Sequence, residues 1–437
     1  MHALFITLGC AKNEVDTDRM RALLAADGFE EALDVSDADV AIVNTCSFLE
    51  TATSESIECT LELADEIARG VRGVPIIMCG CVPSRYGGEL ADELPEVAAF
   101  VRHDEEDGIV EVVRHVLGID RTPCLPPHVL RTVEGASAFL KISEGCNRFC
   151  SFCAIPYIRG RYYSRPLDEL LDEARALLEG GVRELVLIGQ DTGVWGSDFA
   201  PKRTLADLLR ALDEVARPFG AWIRVLYLQP EGMTDELIAA IRDLPSVLPY
   251  IDIPVQHCSK RLLKAMNRSG SPEELHVLFD RLRSEIPGMV LRSTAMAGFP
   301  GETDAEADEL AAFLQMEGFD YCSVFAFSPE DGTRAAKLPD QVPDDVKLER
   351  TQRLIDIAEQ EGFSATASHI GEVVDVIIDG IDDTDDGFEL IGHCWFQAPD
   401  SDGVVHIEQG EATVGDIVRV ELVDSFCYEL VGRIVDA

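Results

Sequence analysis

Short apolar runs alternate with amphipathic stretches along most of the chain, and the first runs end alike. Residues 3–8 are apolar and lead to Cys10, residues 39–45 lead to Cys46, and residues 74–78 lead to Cys79 and Cys81. Helical periodicity fills the gaps, over 15–26 and 53–68. Alternation of this kind predicts a parallel sheet with helices outside. The carboxyl ends of such strands gather at one crevice. Cys10, Cys46 and Cys81 are 36 and 35 residues apart, so they are expected to meet in space. The plain alternative is three unrelated core cysteines. Cys81 is preferred over Cys79 because Gly80 lets a turn aim its thiol outward, whereas Cys79 continues the strand. Asn13 and Asn44 either orient a bound group or, as is more common at such ends, cap the next helix, and Cys59 reads as packing.

Residues 119–135 carry Pro123, Pro126 and Pro127 without periodicity, which marks a linker with Cys124 incidental in it. The alternation then resumes, with strands expected at 139–143, 184–188, 223–228, 250–253, 290–296 and 322–327, and helices between them. Six such units predict a partial (β/α)6 barrel, in which chemistry sits at the carboxyl ends of the strands. Those ends carry Cys146, Gly189-Gln190-Asp191, Gln229-Pro230, Gln256-His257 and Gly298-Phe299-Pro300-Gly301-Glu302. Gly298 and Gly301 either let backbone approach an adenosine or make ordinary turns. His257 reads as a hydrogen-bonded structural histidine. From about residue 366 the pattern changes to short strands at 373–378, 388–391, 404–407 and 417–422, which predicts a small all-β barrel. Cys394 and Cys427 are expected in its core. The fold class is therefore α/β with three domains: 1–118, 132–365 and 366–437.

The densest chemistry is Glu144-Gly145-Cys146-Asn147-Arg148-Phe149-Cys150-Ser151-Phe152-Cys153, three cysteines spaced C-x3-C-x2-C. Three thiolates on one loop can grip one soft metal centre. A four-iron cube wants four ligands, so three leave one iron open to a cofactor or substrate. A zinc knuckle would need a fourth Cys or His close by, and none follows. Phe152 either flanks an adenine ring or covers the centre from water. Arg159, Arg161 and Arg165 read as a local basic patch or as exposed loop arginines. The 13 cysteines are odd in number and scattered, which argues for metal or free thiols over a disulfide framework.

Charge narrows the partners. There are 80 acidic and 37 basic residues, a net charge of −43. Nucleic-acid affinity leans on Lys and Arg at phosphates, so direct nucleic-acid binding is not expected. A basic protein partner, or life at high salt, fits better. In residues 366–437 there are 17 acidic residues against Arg419 and Arg433. No apolar run is long enough to span a bilayer, and the first residues lack a basic lead-in, so the expected location is the cytoplasm without membrane contact.

Taken together, Leu8-Gly9-Cys10-Ala11-Lys12-Asn13, Asn44-Thr45-Cys46-Ser47-Phe48, Gly80-Cys81 with Arg85-Tyr86, and the 144–153 loop resemble the radical S-adenosylmethionine methylthiotransferases. The resemblance covers nearly the whole chain. It implies two 4Fe-4S clusters, one on Cys10, Cys46 and Cys81 and one on Cys146, Cys150 and Cys153, with S-adenosyl-L-methionine at the second. It implies a TRAM domain at the end that recognises the substrate. Phe152, Gly189, Gln190, Gln256, Gly298 and Gly301 are the expected cofactor contacts, and no catalytic residue is expected beyond the cluster ligands. Residues 153–160, Gly189-Gln190-Asp191-Thr192, 328–336 and 340–343 resemble the RimO-type branch. That branch methylthiolates the β-carbon of an aspartate in ribosomal small-subunit protein S12. The implied partners are S12, free or on the ribosome, and an electron donor of flavodoxin or ferredoxin type. The sister branch, which makes 2-methylthio-N6-isopentenyladenosine in tRNA, is the alternative.

Overall fold

The computed structural model describes the chain except residues 71–72, 122, 124, 127–128, 385–386 and 436–437. Cys124 therefore lies outside the described residues. The chain divides into two compact units. The first comprises Met1–Val133, Glu144–Asn147 and Cys153–Tyr162, and the second Glu134–Ser143, Arg148–Phe152 and Tyr163–Ala437. The cysteine loop is thus shared out between them.

The first unit is a parallel sheet of β1 (His2–Thr7), β2 (Glu30–Glu31), β3 (Val40–Thr45), β4 (Ile76–Gly80) and β5 (Val97–Arg102), in the order β2-β1-β3-β4-β5. Strands β3 and β4 are buried throughout and apolar except for Asn44 and Thr45 at the end of β3, as expected for a sheet covered on both faces. One cluster packs Met20, Leu24, Ile42, Ile77 and Val110 on one face. A second packs Val43, Met78, Leu63 and Val82 on the other. The register sets Thr7 beside Asn44 and Thr45 beside Gly80, so Cys10, Cys46 and Cys81 all follow one edge. Helices Ala11–Ala26, Glu50–Arg69 and Cys81–Tyr86 start there.

In the second unit, β6 (Ser137–Lys141), β9 (Glu184–Ile188), β10 (Trp222–Val225), β11 (Val247–Asp252), β12 (Val290–Ala297) and β13 (Tyr321–Ala326) form a parallel sheet. Its spatial order, β13-β12-β11-β10-β9-β6, is the chain order, which is the open six-stranded barrel that the alternation predicts. β7 (Ser143–Glu144) and β8 (Tyr163–Ser164) bracket the cysteine loop in sequence. Five of the helix starts carry side-chain caps. Thr204 with Asp207 and Thr303 with Glu306 make reciprocal capping boxes, and Thr234, Ser259 and Ser271 cap three more helices.

Strands β14 (Val373–Thr384), β15 (Gly387–Cys394), β16 (Val405–Gln409), β17 (Ile417–Phe426) and β18 (Glu429–Ile434) close into a barrel. The fifth strand, β18, escapes the hydrophobic pattern because its glycine and arginine interrupt the alternation. Cys394 is buried in the barrel as expected, but Cys427 is exposed. It sits at φ 55 in the tight turn between β17 and β18, so its side chain leaves the core.

Within this unit the barrel is fastened to the six-stranded sheet by buried charge. Arg224 and Glu184, both 0% exposed, pair at 2.6 Å. The other Glu184 oxygen meets His393 Nε2 at 2.5 Å, and His393 Nδ1 meets Asp379 at 2.6 Å. Arg224 also donates to the Trp395 carbonyl and lies 4.5 Å over the Tyr250 ring. Tyr250 and Arg292 both bond Asp402. Burial alone would lower the His393 pKa, but Glu184 and Asp379 reverse this and raise it to about 9. Burial opposes ionisation of Glu184, yet Arg224 and His393 bring its pKa down to about 2. Stability from the His393 charge is therefore full below 6.5 and is lost as pH rises through about 9. Stability from Glu184 is full above 4.5 and is lost as pH falls towards about 2. His393→Gln should cost about 3–5 kcal/mol, as expected on breaking a buried pair. In thermal unfolding followed against pH, the gap between wild type and variant should narrow as pH rises from 6.5 through about 9. A gap constant with pH would show that His393 is buried neutral.

Candidate iron–sulfur and cofactor site

Cys10, Cys46 and Cys81 are brought together by the edge of the first sheet. A Cβ on Gly9 would lie 2.7 Å from Cys46 Cβ and 3.2 Å from its Sγ, so Gly9, at φ 109, is what lets the first strand end close against Cys46. Gly80, at φ 91, does the same beside Cys81, where a Cβ would lie 2.3 Å from Asn44 Oδ1. Each thiol lies within electrostatic reach of the other two. Among the described residues no three Cys, His, Asp or Glu side chains close around a single ion. Three soft sulfur donors and no oxygen ligand suit an iron–sulfur cluster.

The floor under these thiols is a satisfied polar network. Cys10 Sγ donates to Asn13 Oδ1 at 3.4 Å. Asn13 Nδ2 donates to Asn44 Oδ1 and to the Thr45 carbonyl at 3.2 and 2.9 Å. Asn44 Nδ2 donates to the Asn13 carbonyl and Thr17 Oγ1, both at 3.0 Å. The two asparagines are therefore not caps. The helix that begins after Cys10 has no side-chain cap, and both amides instead lock that helix to the end of β3. Ser84 and His103 add a further pair at 2.9 Å.

Arg159, expected in a basic patch or on an exposed loop, is instead only 3% exposed. Its Nη1 contacts Asp16 at 3.1 Å and Glu144 at 3.0 Å, and its Nη2 donates to Asn13 Oδ1 at 3.3 Å. Arg165 is occupied elsewhere, by Glu173 and the Lys141 carbonyl. Burial works against ionisation of Cys10, but Lys12 and Arg159 bring its pKa below the usual thiol value. Burial raises Cys46, and lifts Cys81 to about 11 despite Arg159.

Cys146, Cys150 and Cys153 are half-buried on the loop between β7 and the short helix Ile155–Ile158. Gly145, at φ 69, is pressed against the Arg161 carbonyl, and Cys146 N–H donates to the Gly160 carbonyl at 3.2 Å. The segment 148–152 is held separately. Asn267 donates to the Arg148 and Phe149 carbonyls, Ser151 N–H to Met266, and Ala335 N–H to Ser151. Phe152 packs with Leu262, Met266, Phe299 and Phe327. Burial raises the Cys150 pKa, opposed by Arg268 and Arg148.

The other expected cofactor contacts all sit beyond the carboxyl ends of the second sheet. Gly189 follows β9, and a Cβ there would lie 2.5 Å from Ser143 Oγ, so only glycine fits. Gln190 follows it, half-buried. Gln256, beyond β11, adopts φ 66 and is pinned by backbone bonds to Thr294 and Met296. Tyr227, beyond β10, is also left-handed at φ 61. Strained non-glycine backbone of this kind concentrates at binding sites. Gly298, at φ 75, closes against Lys347 Cγ, 2.3 Å from a would-be Cβ, and Gly301 donates to the Asp340 carbonyl. Glu302 folds that turn by accepting from the Gly298 and Phe299 N–H groups at 2.6 and 3.2 Å. Among the described residues Ser143 Oγ, Ser151 Oγ and Asp191 Oδ1 are buried with no hydrogen-bond partner. Orphaned polar atoms beside glycine-lined backbone fit a polar cofactor. His257 Nδ1 accepts from Ser259 N–H, while its Nε2 is buried with no hydrogen-bond partner among the described residues.

Three family models match the chain: the Radical SAM superfamily over 140–314, the uncharacterized protein family UPF0004 over 2–102 and the TRAM domain over 370–435. Sheet, cysteine loop and matched family define a radical S-adenosylmethionine enzyme. "Ribosomal protein uS12 methylthiotransferase RimO" of Synechococcus sp. (strain CC9311) is 39% identical over 99% of this chain and 93% of its own length. That of Pelobacter propionicus is 42% identical over 98% and 97%. The chain belongs to the RimO family of radical SAM methylthiotransferases. Its fold is shared with the radical S-adenosylmethionine methyltransferase TsrM of Kitasatospora setae, solved with cobalamin and a [4Fe-4S] cluster, at TM-score 0.56 and 15% identity over 74% of each chain. No helix among the described residues is long and apolar enough to cross a membrane.

Gly9→Ala is expected to lower the thermal midpoint more than Gly28→Ala. Both positions have positive φ, but nothing lies within 4 Å of a Cβ at Gly28. Equal shifts would mean that the approach to Cys46 is not tight.

Proposed function

We propose that this protein transfers a methylthio group to the β-carbon of an aspartate in ribosomal small-subunit protein uS12. The reading is carried by the convergence of Cys10, Cys46 and Cys81 at the ends of β1, β3 and β4. It adds a second thiol set to the Cys146, Cys150 and Cys153 loop. The full-length relationship to proteins named for that activity supports it. Residues 1–118 hold one 4Fe-4S cluster through Cys10, Cys46 and Cys81. Residues 132–365 hold the other through Cys146, Cys150 and Cys153, and bind S-adenosyl-L-methionine. Residues 366–437 receive the substrate.

Such clusters and S-adenosylmethionine, when bound, supply one-electron chemistry and a hydrogen-abstracting radical, which a carbon without an acidic proton requires. The chain's own groups bind and orient. Gly189, Gly298 and Gly301 permit close backbone approach. Gln190 and Gln256 present amides at the strand ends. Phe152 packs with Leu262, Met266, Phe299 and Phe327 to make an apolar wall next to the cysteine loop. Arg148 and Arg268 place positive charge beside that thiol. The acidic terminal barrel complements a basic ribosomal protein and offers little to a polyanion. Electrons come from a donor of flavodoxin or ferredoxin type, in the cytoplasm.

Two measurements test this. In a strain lacking the gene, mass spectrometry should find the uS12 aspartate unmodified and methylthio-adenosine in tRNA unchanged; the reverse pattern would transfer the protein to the tRNA branch. Anaerobically reconstituted Cys150→Ala should keep about half of the iron, because three thiolates define each cluster, and should release no 5′-deoxyadenosine. Undiminished release would refute the role of the loop.

A further inference from the structure

Arg159 is a strongly buried cation whose role the ligand assignment leaves unexplained. Its guanidinium reaches three parts of the first unit at once. Asp16 lies on the helix that follows Cys10, at 3.1 Å, Asn13 contacts the Cys10 thiol itself, and Glu144 lies two residues before Cys146, at 3.0 Å. It also lies within electrostatic reach of Cys81, Cys10 and Cys46. The short helix that leads to it packs Ala154 and Ile158 against Cys81.

The charge count makes the placement informative. A structural ion pair needs one anion for one cation, and here one arginine faces two buried carboxylates. Asp16 and Glu144 are 7% and 3% exposed. Removing charges from water is costly unless they are compensated, and beside this trio lie three sulfur ligands that bind metal as thiolates and bring negative charge of their own. Arg159 acts on all three thiols, and at Cys10 Lys12 acts more strongly still. A lysine would be a single point of charge, whereas the planar guanidinium can serve both carboxylates and the amide together.

We propose that Arg159 is a positioning residue that sets the reduction potential of a cluster on Cys10, Cys46 and Cys81 and ties the Cys146 arm to the Cys10 helix. The inference rests on the assignment of those three cysteines as cluster ligands. Its first part is electrostatic: a fixed positive charge beside an iron–sulfur cluster favours the reduced form, and a fixed negative charge disfavours it. Its second part is geometric: Glu144 is fixed on Arg159 while Cys146 N–H is fixed on Gly160, so one loop, 159–160, holds both ends of the arm.

The test is a spectroelectrochemical titration of the anaerobically reconstituted full chain with Arg159→Met, Arg159→Lys and Asp16→Asn. Arg159→Met should shift the reduction equilibrium of the N-terminal cluster at least tenfold towards the oxidised form, which is about 59 mV for one electron. Asp16→Asn should shift it in the opposite sense. Arg159→Lys should restore most of the potential, with a broadened paramagnetic signal from the loosened arm. A merely structural arginine moves iron content or the unfolding midpoint but gives no pair of opposite shifts. If Arg159→Met does not fold, the opposite shift in Asp16→Asn and the near-wild-type potential of Arg159→Lys carry the test. Two clusters whose potentials stay fixed across the variants would overturn the proposal alone. A wild-type chain with a single cluster would overturn the ligand assignment and the proposal with it.

Discussion

Parallel strands place all their carboxyl ends on one edge, and that constraint governs both sheets of this chain. In the first sheet it forces Cys10, Cys46 and Cys81 to share an edge although they are dozens of residues apart. Convergence of side chains then needs the backbone to yield, and it yields at Gly9 and Gly80, where no Cβ would fit. In the second sheet the same edge carries the glycine turns, the left-handed Tyr227 and Gln256, and the orphaned serine and aspartate oxygens. Affinity for a polar cofactor follows from where strands stop, more than from any one side chain.

A second constraint is charge. A chain with net charge −43 can use its few cations only where they matter, and several are buried. Arg224 serves the junction between sheet and terminal barrel, with Glu184 and His393. Arg159 serves the thiol edge. Both sites are low-dielectric networks in which every partner counts, because leaving one charge unmatched costs several kcal/mol. The acidic exterior is then free to face a basic partner.

Much of this could be read from the residues alone. Apolar runs ending in cysteine located β1, β3 and β4, and the spacing of Cys146, Cys150 and Cys153 carried the chemistry. Six apolar runs between helical patterns gave the order of the second sheet. What stayed hidden depended on long-range pairing. Arg159 follows a Pro-containing turn and precedes a glycine, a context that reads as exposed loop. Its burial is decided by Asp16, 143 residues away. Asn44 read as a helix cap, yet it pairs with Asn13 across the sheet edge. His393 lies on a barrel strand, and its partner Glu184 is 209 residues earlier. The short alternation around Gly432 and Arg433 concealed β18, and with it the turn that exposes Cys427.

The central claim is that two separate sets of three cysteines each hold a four-iron cluster. Mössbauer spectroscopy with iron and sulfide analysis of the anaerobically reconstituted chain, beside its Cys10→Ala/Cys46→Ala/Cys81→Ala variant, tests it most directly. The account predicts two four-iron clusters per wild-type chain and one in the variant. A single cluster in both proteins would contradict it.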